Sequence, residues 1–442
     1  MTMNATAIPQ RRGACPGLSA PMQTGDGLLV RLLPIGTIPL PVFAALRAAA
    51  RTHGNGVIEI TSRGSIQIRG VSIASAPQFA AAISALDIAA ADGVPILCIP
   101  LAGLDATEMF DSAALAADLR EALAHSSLRS KLSPKVSVVI DGGGAIGLDA
   151  VAADVRLHAQ AMDGGLTLRV SVGGDEARAI DLGHVTLPHG VETIMRLLDV
   201  IARHGRDARA RDIVATEGVP PLRSAIAELL ITARPRESGD LVLDSRFRGN
   251  ERKVAVGSVI GTHPLRDGAV ACGVGLAFGH ADATSLERLD VVAKAAGASG
   301  LRTAPGRVLL AIGLAPEAAP TFTSAAAQLG FIVRADDPRR NVIACAGAPI
   351  CTSAHIASRA LAPLVAATAA QCFDGVIHIS GCAKGCAHPA PAALTVVGTP
   401  EGCGLIADGT ARDTPFATVP ADELPAALTR YARQHNRGAA HV

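Results

Sequence analysis

Four cysteines are the residues most able to do chemistry, and they stand in two pairs. Cys345 and Cys351 have five residues between them; Cys382 and Cys386 have three. Thiolates are soft ligands for Fe–S clusters, zinc and copper(I). Structural zinc sites favour pairs with two to four intervening residues, so the wider first gap argues against zinc. A [4Fe–4S] cluster needs four thiolates, at spacings that differ between families. Gly347, Pro349, Gly381, Gly385 and Pro389 flank the pairs, and glycine lets backbone amides approach cluster sulfurs closely. The plain alternative is four unrelated core thiols, a common fate of free cysteine.

The elements that must carry these loops can be read outward from them. LLVRLLP (28–34) suits a strand, Pro41 opens an Ala-rich helix ending near Gly54, and VIEIT (57–61) alternates as a half-buried strand. Ser62-Arg63-Gly64 is a turn, SIQIR (65–69) the returning strand, and a helix over 76–90 closes a β-α-β-β-α unit. The order recurs: a strand at 268–278, a helix at 285–297, strands at 300–303 and 307–313, and a helix at 318–329. Thr303-Ala304-Pro305-Gly306 then holds the turn that Thr61-Ser62-Arg63-Gly64 holds in the first copy. Between the copies, helices are expected at 112–126, 191–204 and 222–233, with strands at 136–140 and 166–172. Asp141-Gly142-Gly143-Gly144 lacks the lysine and hydroxyl of a P-loop, so it reads as a strand-ending turn. After the cysteines come a strand at 392–398 and a terminal helix at 424–435.

The two cysteine motifs, NVIACAGAPICTSAH and HISGCAKGCAHP, resemble those of the nitrite/sulfite reductase superfamily. RRGACPGLSAPMQTGDGLLVRL at 11–32, with SGCAKGCAHP, is most similar to the branch that acts in aerobic cobalamin synthesis. The resemblance implies a fold of class α+β / α/β, with two ferredoxin-like half-domains each followed by a larger α/β domain. Its boundaries would be an N-terminal arm (1–25), the first half-domain (26–92), an α/β domain without cluster (93–233), an inserted flexible linker (234–253), the second half-domain (254–317) and the cluster domain (318–442). It implies that Cys345, Cys351, Cys382 and Cys386 ligate a [4Fe–4S] cluster, with Cys386 facing a tetrapyrrole. It implies an O2-dependent monooxygenase that hydroxylates precorrin-3A at C20 and forms a γ-lactone. Electrons would come from an external donor, an NADH-linked reductase or a ferredoxin. A mononuclear non-haem iron is a further cofactor the branch can accommodate, and His263, His280, His355, His378 and His388 are candidate ligands without a pattern to choose among them. Tetrapyrrole carboxylates call for basic partners. The family positions give Arg63, Arg69 and Lys135 as tetrapyrrole-binding residues, Arg63 and Lys135 also as catalytic, with Arg302, Arg307, Arg339 and Arg340 as further basic residues nearby.

The alternative within the superfamily is a sirohaem-dependent sulfite or nitrite reductase. Against it, Ser137 stands where a second active-site lysine belongs and Lys384 where the family often has asparagine. An electron carrier or assembly scaffold is a third reading, which the two basic turns disfavour. Lys+Arg is 40 against Asp+Glu 39, aromatics are 2% and Trp is absent, so neither a basic field nor a stacking platform points to nucleic acid. No uncharged apolar run is long enough to span a membrane, and the opening residues lack a secretory pattern, so a cytoplasmic protein with reduced thiols is expected. Cys15 sits in the N-terminal arm, which is expected to be ordered from about Gly13; Cys98, Cys272 and Cys372 read as packed thiols, and Cys403, without partner spacing, as incidental.

Overall fold

The computed structural model describes residues 16–18, 20–86, 88, 90, 93–162, 165–231, 258–369, 373 and 375–439. The expected linker (234–253), Cys15 and Cys372 lie outside them. Among the described residues four five-stranded sheets form. The chain divides into two compact units: one gathers the described residues of 1–88, 260–262 and 272–442, the other those of 89–259 and 263–271.

In the first unit the β-α-β-β-α order is present twice. Gly27–Leu32, Leu40–His53, Val57–Ile60, Ile66–Val71 and Ala76–Ser84 form one copy. Val270–Gly275, Ala283–Ala295, Gly300–Ala304, Val308–Leu314 and Ala319–Gln328 form the other. Leu40–His53 forms because Pro41 presets its first turn and Phe43, Leu46 and Ala50 share one buried face. Ala283–Ala295 starts at Asp282, whose carboxylate accepts the backbone N–H groups of Thr284 and Ser285. The helix expected over 76–90 stops at Ser84. The closing helix of the second copy, Ala319–Gln328, falls past the boundary expected at 317.

The copies are interlocked. His280–Asp282 leaves the second copy and pairs with Val57–Ile60 of the first, while Ile38–Pro39 pairs with Gly300 and Leu301 of the second. The equivalent turns meet: Gly306 donates its N–H to the Ser62 carbonyl at 3.0 Å, and a Cβ on Gly64 would stand 3.0 Å from the Ala304 carbonyl carbon. The two long helices are tied by Arg47 and Asp290 at 2.7 Å, with both side chains nearly buried. This reciprocal exchange is the packing that two diverged copies of one unit make about a pseudo-twofold axis.

The remaining sheet of this unit runs Val342–Ala344, Ile377–Ser380, Ala392–Thr399, Gly402–Gly409, Ala417–Val419. The first three strands are parallel and the rest antiparallel. Ile377–Ser380 is buried along its whole length, as a covered parallel strand must be. Helices Ser358–Ala369 and Leu424–Ala439 supply Ala362, Val365, Leu424 and Leu428 to the same core. Cys403 is buried within it, which accounts for that thiol as packing.

The second unit is built on Ile180–Thr186, Gly165–Gly174, Ala153–Met162, Val138–Asp141 and Ile96–Cys98 in that order. The expected helix at 222–233 is a short Pro220–Ala225 followed by a 3₁₀ turn, because Ile226 leaves helical backbone at φ −118°. Asp154 organises the unit's centre. Its buried carboxylate takes Arg209 Nε at 2.9 Å and Nη2 at 2.8 Å, and the N–H groups of Ser137 and Ala210 at 3.0 Å each. Asp141-Gly142-Gly143-Gly144 is a strand-ending turn, as expected. A Cβ on Gly142 would meet Glu108 at 2.7 Å and one on Gly144 would meet Asp105 Oδ2 at 2.5 Å. Two carboxylates against that turn would repel a phosphate.

Candidate functional site

Both cysteine loops leave the same edge of one sheet. Val342–Ala344 runs directly into Cys345, and Ile377–Ser380 ends two residues before Cys382. The strands are parallel neighbours, with Val342 opposite Ile377, so their loops emerge side by side at the carboxyl ends, where open sheets place their sites. Backbone bonds then stitch the loops together. Cys345 donates its N–H to the Ile379 carbonyl at 3.1 Å and His355 donates to that of Gly381 at 2.7 Å. Gly381 donates its N–H to Cys345 Sγ at 3.0 Å, the kind of bond that stabilises a thiolate. Gly347, at φ +67°, runs so close to the Ser358 backbone that any side chain there would collide. Lys384 reaches across the gap, with Nζ 2.9 Å from Ser353 Oγ.

Burial, and then the thiols of Cys382, Cys345 and Cys351, push the Cys386 thiol above its ordinary range, while Lys384 pulls the other way. Four thiols therefore share one neighbourhood. Among the described residues no group of three or more His, Cys, Asp or Glu side chains is arranged for a single metal ion. A four-iron cube holds its thiolates farther apart than one ion does. The donor set of four thiols on two glycine-rich loops, with a backbone N–H already on one sulfur, fits the cube.

The basic residues expected near a tetrapyrrole stand in different settings. Arg63 is exposed at the turn and its backbone N–H bonds Thr61 Oγ1. Lys135 is exposed and belongs to the second unit. Ser137, in place of a second lysine, is fully buried. Arg69 has its Nη1 2.7 Å from Asp26 Oδ1 and its Nε 3.2 Å from Glu59, so two carboxylates already meet its charge. Glu59 also takes Nη2 of Arg359, at the start of Ser358–Ala369. Arg302 bonds Thr37 Oγ1 at 2.7 Å, and Arg339 is held by Asp337. Arg307, Arg339 and Arg340 line one small cavity with Gly275, Phe278 and Val342. Sequence reading missed Asp26, Glu59 and Arg359; the signal was present only as Thr24-Gly25-Asp26-Gly27 in the N-terminal wording.

Among the described residues no candidate histidine belongs to a group of three or more side chains that could hold one metal ion. His263 belongs to the second unit and bonds the Val259 carbonyl. His355 is exposed. His378 and His388 pack edge to face with centroids 5.7 Å apart. His378 is fully buried with neither ring nitrogen bonded, and burial, then His388, push it down to about 4. His280 is pushed down to about 4 by burial and then by Arg359.

Residues 20–86 match the model of the nitrite/sulfite reductase ferredoxin-like half domain. A precorrin-3B synthase of Sinorhizobium sp is 39% identical over 431 residues, spanning 97% of this chain and 90% of that relative. The chain belongs to the precorrin-3B synthase family. The expected duplicated architecture and oxidoreductase class therefore both stand. A ferredoxin–nitrite reductase of Synechococcus elongatus is 24% identical over 409 residues, 86% of this chain and 77% of that protein. The solved structure of Mycobacterium tuberculosis NirA superposes with a TM-score of 0.68 at 19% identity, covering 92% of this chain and 80% of the other. That likeness is one of fold.

Proposed function

We propose that the chain converts precorrin-3A to precorrin-3B as an O2-dependent monooxygenase, hydroxylating C20 and closing a γ-lactone with a ring A acetate. The full-length similarity to a precorrin-3B synthase carries this reading. The side-by-side cysteine loops support a [4Fe–4S] cluster on Cys345, Cys351, Cys382 and Cys386. When bound, that cluster would supply single electrons, taken from an NADH-linked reductase or a ferredoxin, for the reduction of O2. The hydroxyl takes one oxygen atom, and the other leaves as water with the donor's electrons and solvent protons.

The chain's own residues bind and orient the substrate. Arg63, exposed on a turn fixed by the interlocked copies, is proposed to bind a tetrapyrrole carboxylate, bidentately where geometry allows. Lys135, exposed on the second unit, is proposed as a further cation for substrate carboxylates. Arg69 is left out of the binding set, since Asp26 and Glu59 hold it. No residues are assigned to a mononuclear iron. Among the described residues no helix is long and apolar enough to cross a membrane.

The competing reading, a sirohaem-dependent sulfite or nitrite reductase, rests on the more distant relative alone. The absorption spectrum of anaerobically purified, cluster-reconstituted protein separates the two when followed by acid-acetone extraction. A broad thiolate-to-iron band with no extractable macrocycle is the expected result. Intense macrocycle bands and extractable sirohaem would assign the chain to oxyanion reduction instead.

A further inference from the structure

The hairpin turn Thr24-Gly25-Asp26-Gly27 lies against the first cysteine loop. Gly25 accepts the Thr352 N–H through its carbonyl at 3.3 Å. A Cβ at Gly25 would stand 2.6 Å from Cys351 Sγ, closer than real contacts allow, and a tight 3.0 Å from the Thr352 nitrogen. The turn is itself fixed: the single Thr24 hydroxyl hydrogen is shared between Asp26 Oδ1, 2.6 Å from Oγ1, and the Gly27 carbonyl, 2.7 Å from it. From Asp26, whose carboxylate is 2% exposed, the ion pairs continue through Arg69 and Glu59 to Arg359. Arg359 follows Ser358, whose hydroxyl lies 3.5 Å from Cys345 Sγ. Residues 351–359 are thus gripped at both ends, at Cys351 by the close-packed Gly25 and at Arg359 by a buried chain of charges.

We propose that Gly25 and the Asp26–Arg69–Glu59–Arg359 chain are positioning elements that hold the Cys345–Cys351 loop ready for its cluster. The inference rests on the cluster reading of the four cysteines, but the grip itself exists without a cluster. It explains why the Thr24–Gly27 turn carries glycine at its second position, since without a side chain there the turn can touch a ligand sulfur directly. Arg69 transmits the position of the hairpin to the start of Ser358–Ala369. Partial loss of a buried ion-pair chain leaves an uncompensated charge, so the loop should loosen when any member is neutralised.

The test compares Gly25→Ala with Asp26→Asn and, as control, Gly17→Ala, whose added methyl meets nothing within 4 Å. In cluster-free, reduced protein, maleimide labelling of each cysteine is followed by peptide mass spectrometry. Gly25→Ala and Asp26→Asn are expected to speed labelling of Cys351 relative to Cys386, with Gly17→Ala unchanged. In reconstituted protein both should lose iron to a chelator about 10- to 100-fold faster, the usual cost of disturbing an outer partner of a metal site, with a shifted electron paramagnetic resonance signal. Labelling and iron loss at wild-type rates in Asp26→Asn, or in a folded Gly25→Ala, would overturn the proposal. Should Gly25→Ala fail to fold, Asp26→Asn decides the matter alone. If wild-type protein holds no cluster, the cluster reading fails while the labelling pattern still decides the grip.

Discussion

Cys386→Ser should reduce iron and acid-labile sulfide to background and lower precorrin-3A turnover by more than the roughly 10- to 100-fold that loss of an outer partner costs. A serine hydroxyl keeps the shape of the thiol but offers a hard oxygen of far higher pKa, a poor ligand for iron in a cluster. The other three cysteines cannot compensate, because each is fixed by its own strand end or loop. Cys345 follows one parallel strand and accepts the Gly381 N–H, and Cys382 follows the neighbouring strand. Cys272→Ser provides the contrast. That thiol is buried in the strand Val270–Gly275, away from the two motifs in sequence, and its loss should leave iron content unchanged. Iron and sulfide analysis of both variants checks this, and a normal cluster in Cys386→Ser would remove that residue from the ligand set.

Acid should destabilise the fold through two histidines held neutral. His378 and His280 are both pushed down from the ordinary 6.5 to about 4, each chiefly by burial. The unfolded chain takes up a proton at each site as pH falls below 6.5, whereas the folded chain resists until about pH 4. The stability that neutrality contributes is therefore complete above pH 6.5 and lost as pH falls through about 4. The difference in proton affinity is worth about 3 kcal/mol per histidine. His378 is the firmer case, since its ring is fully buried and neither nitrogen is bonded; His280 is partly exposed, which reduces its share. Urea unfolding of cluster-free protein at about pH 7.5 and about pH 4 measures the loss. His378→Phe should shrink the pH-dependent part by about 3 kcal/mol. Parallel pH curves for wild type and variant would show that His378 does not titrate as described.

The parts of this molecule that announce themselves locally were the legible ones. Cysteine spacing needs no partner to be recognised, and the recurring β-α-β-β-α order survives divergence because periodicity does. The exchange of His280–Asp282 and Ile38–Pro39 between copies was not legible, since strands of three and two residues carry no alternation. The strand Ala153–Met162 was missed for another reason, although its neighbour Gly165–Gly174 was expected at 166–172. Arg156 and His158 break the apolar pattern of Ala153–Met162, yet Arg156 is buried, with Nη1 and Nη2 donating to the Val151 and Leu148 carbonyls. Arg69 shows the limit for site residues. A sequence displays a charge but not its partner, and Asp26 lies 43 positions away. Gly25 was visible only as part of a motif; the sulfur that requires it to be glycine is on a loop more than three hundred residues later.

Oxidation of precorrin-3A with O2 is tested most directly by a reaction of reconstituted protein with precorrin-3A, reductant and isotopically labelled dioxygen, in which the product's mass is read. The expected result is one labelled oxygen atom in precorrin-3B, no product without dioxygen, and no reduction of sulfite or nitrite by the same preparation. Unlabelled product, or turnover of sulfite or nitrite in place of the precorrin, would contradict it.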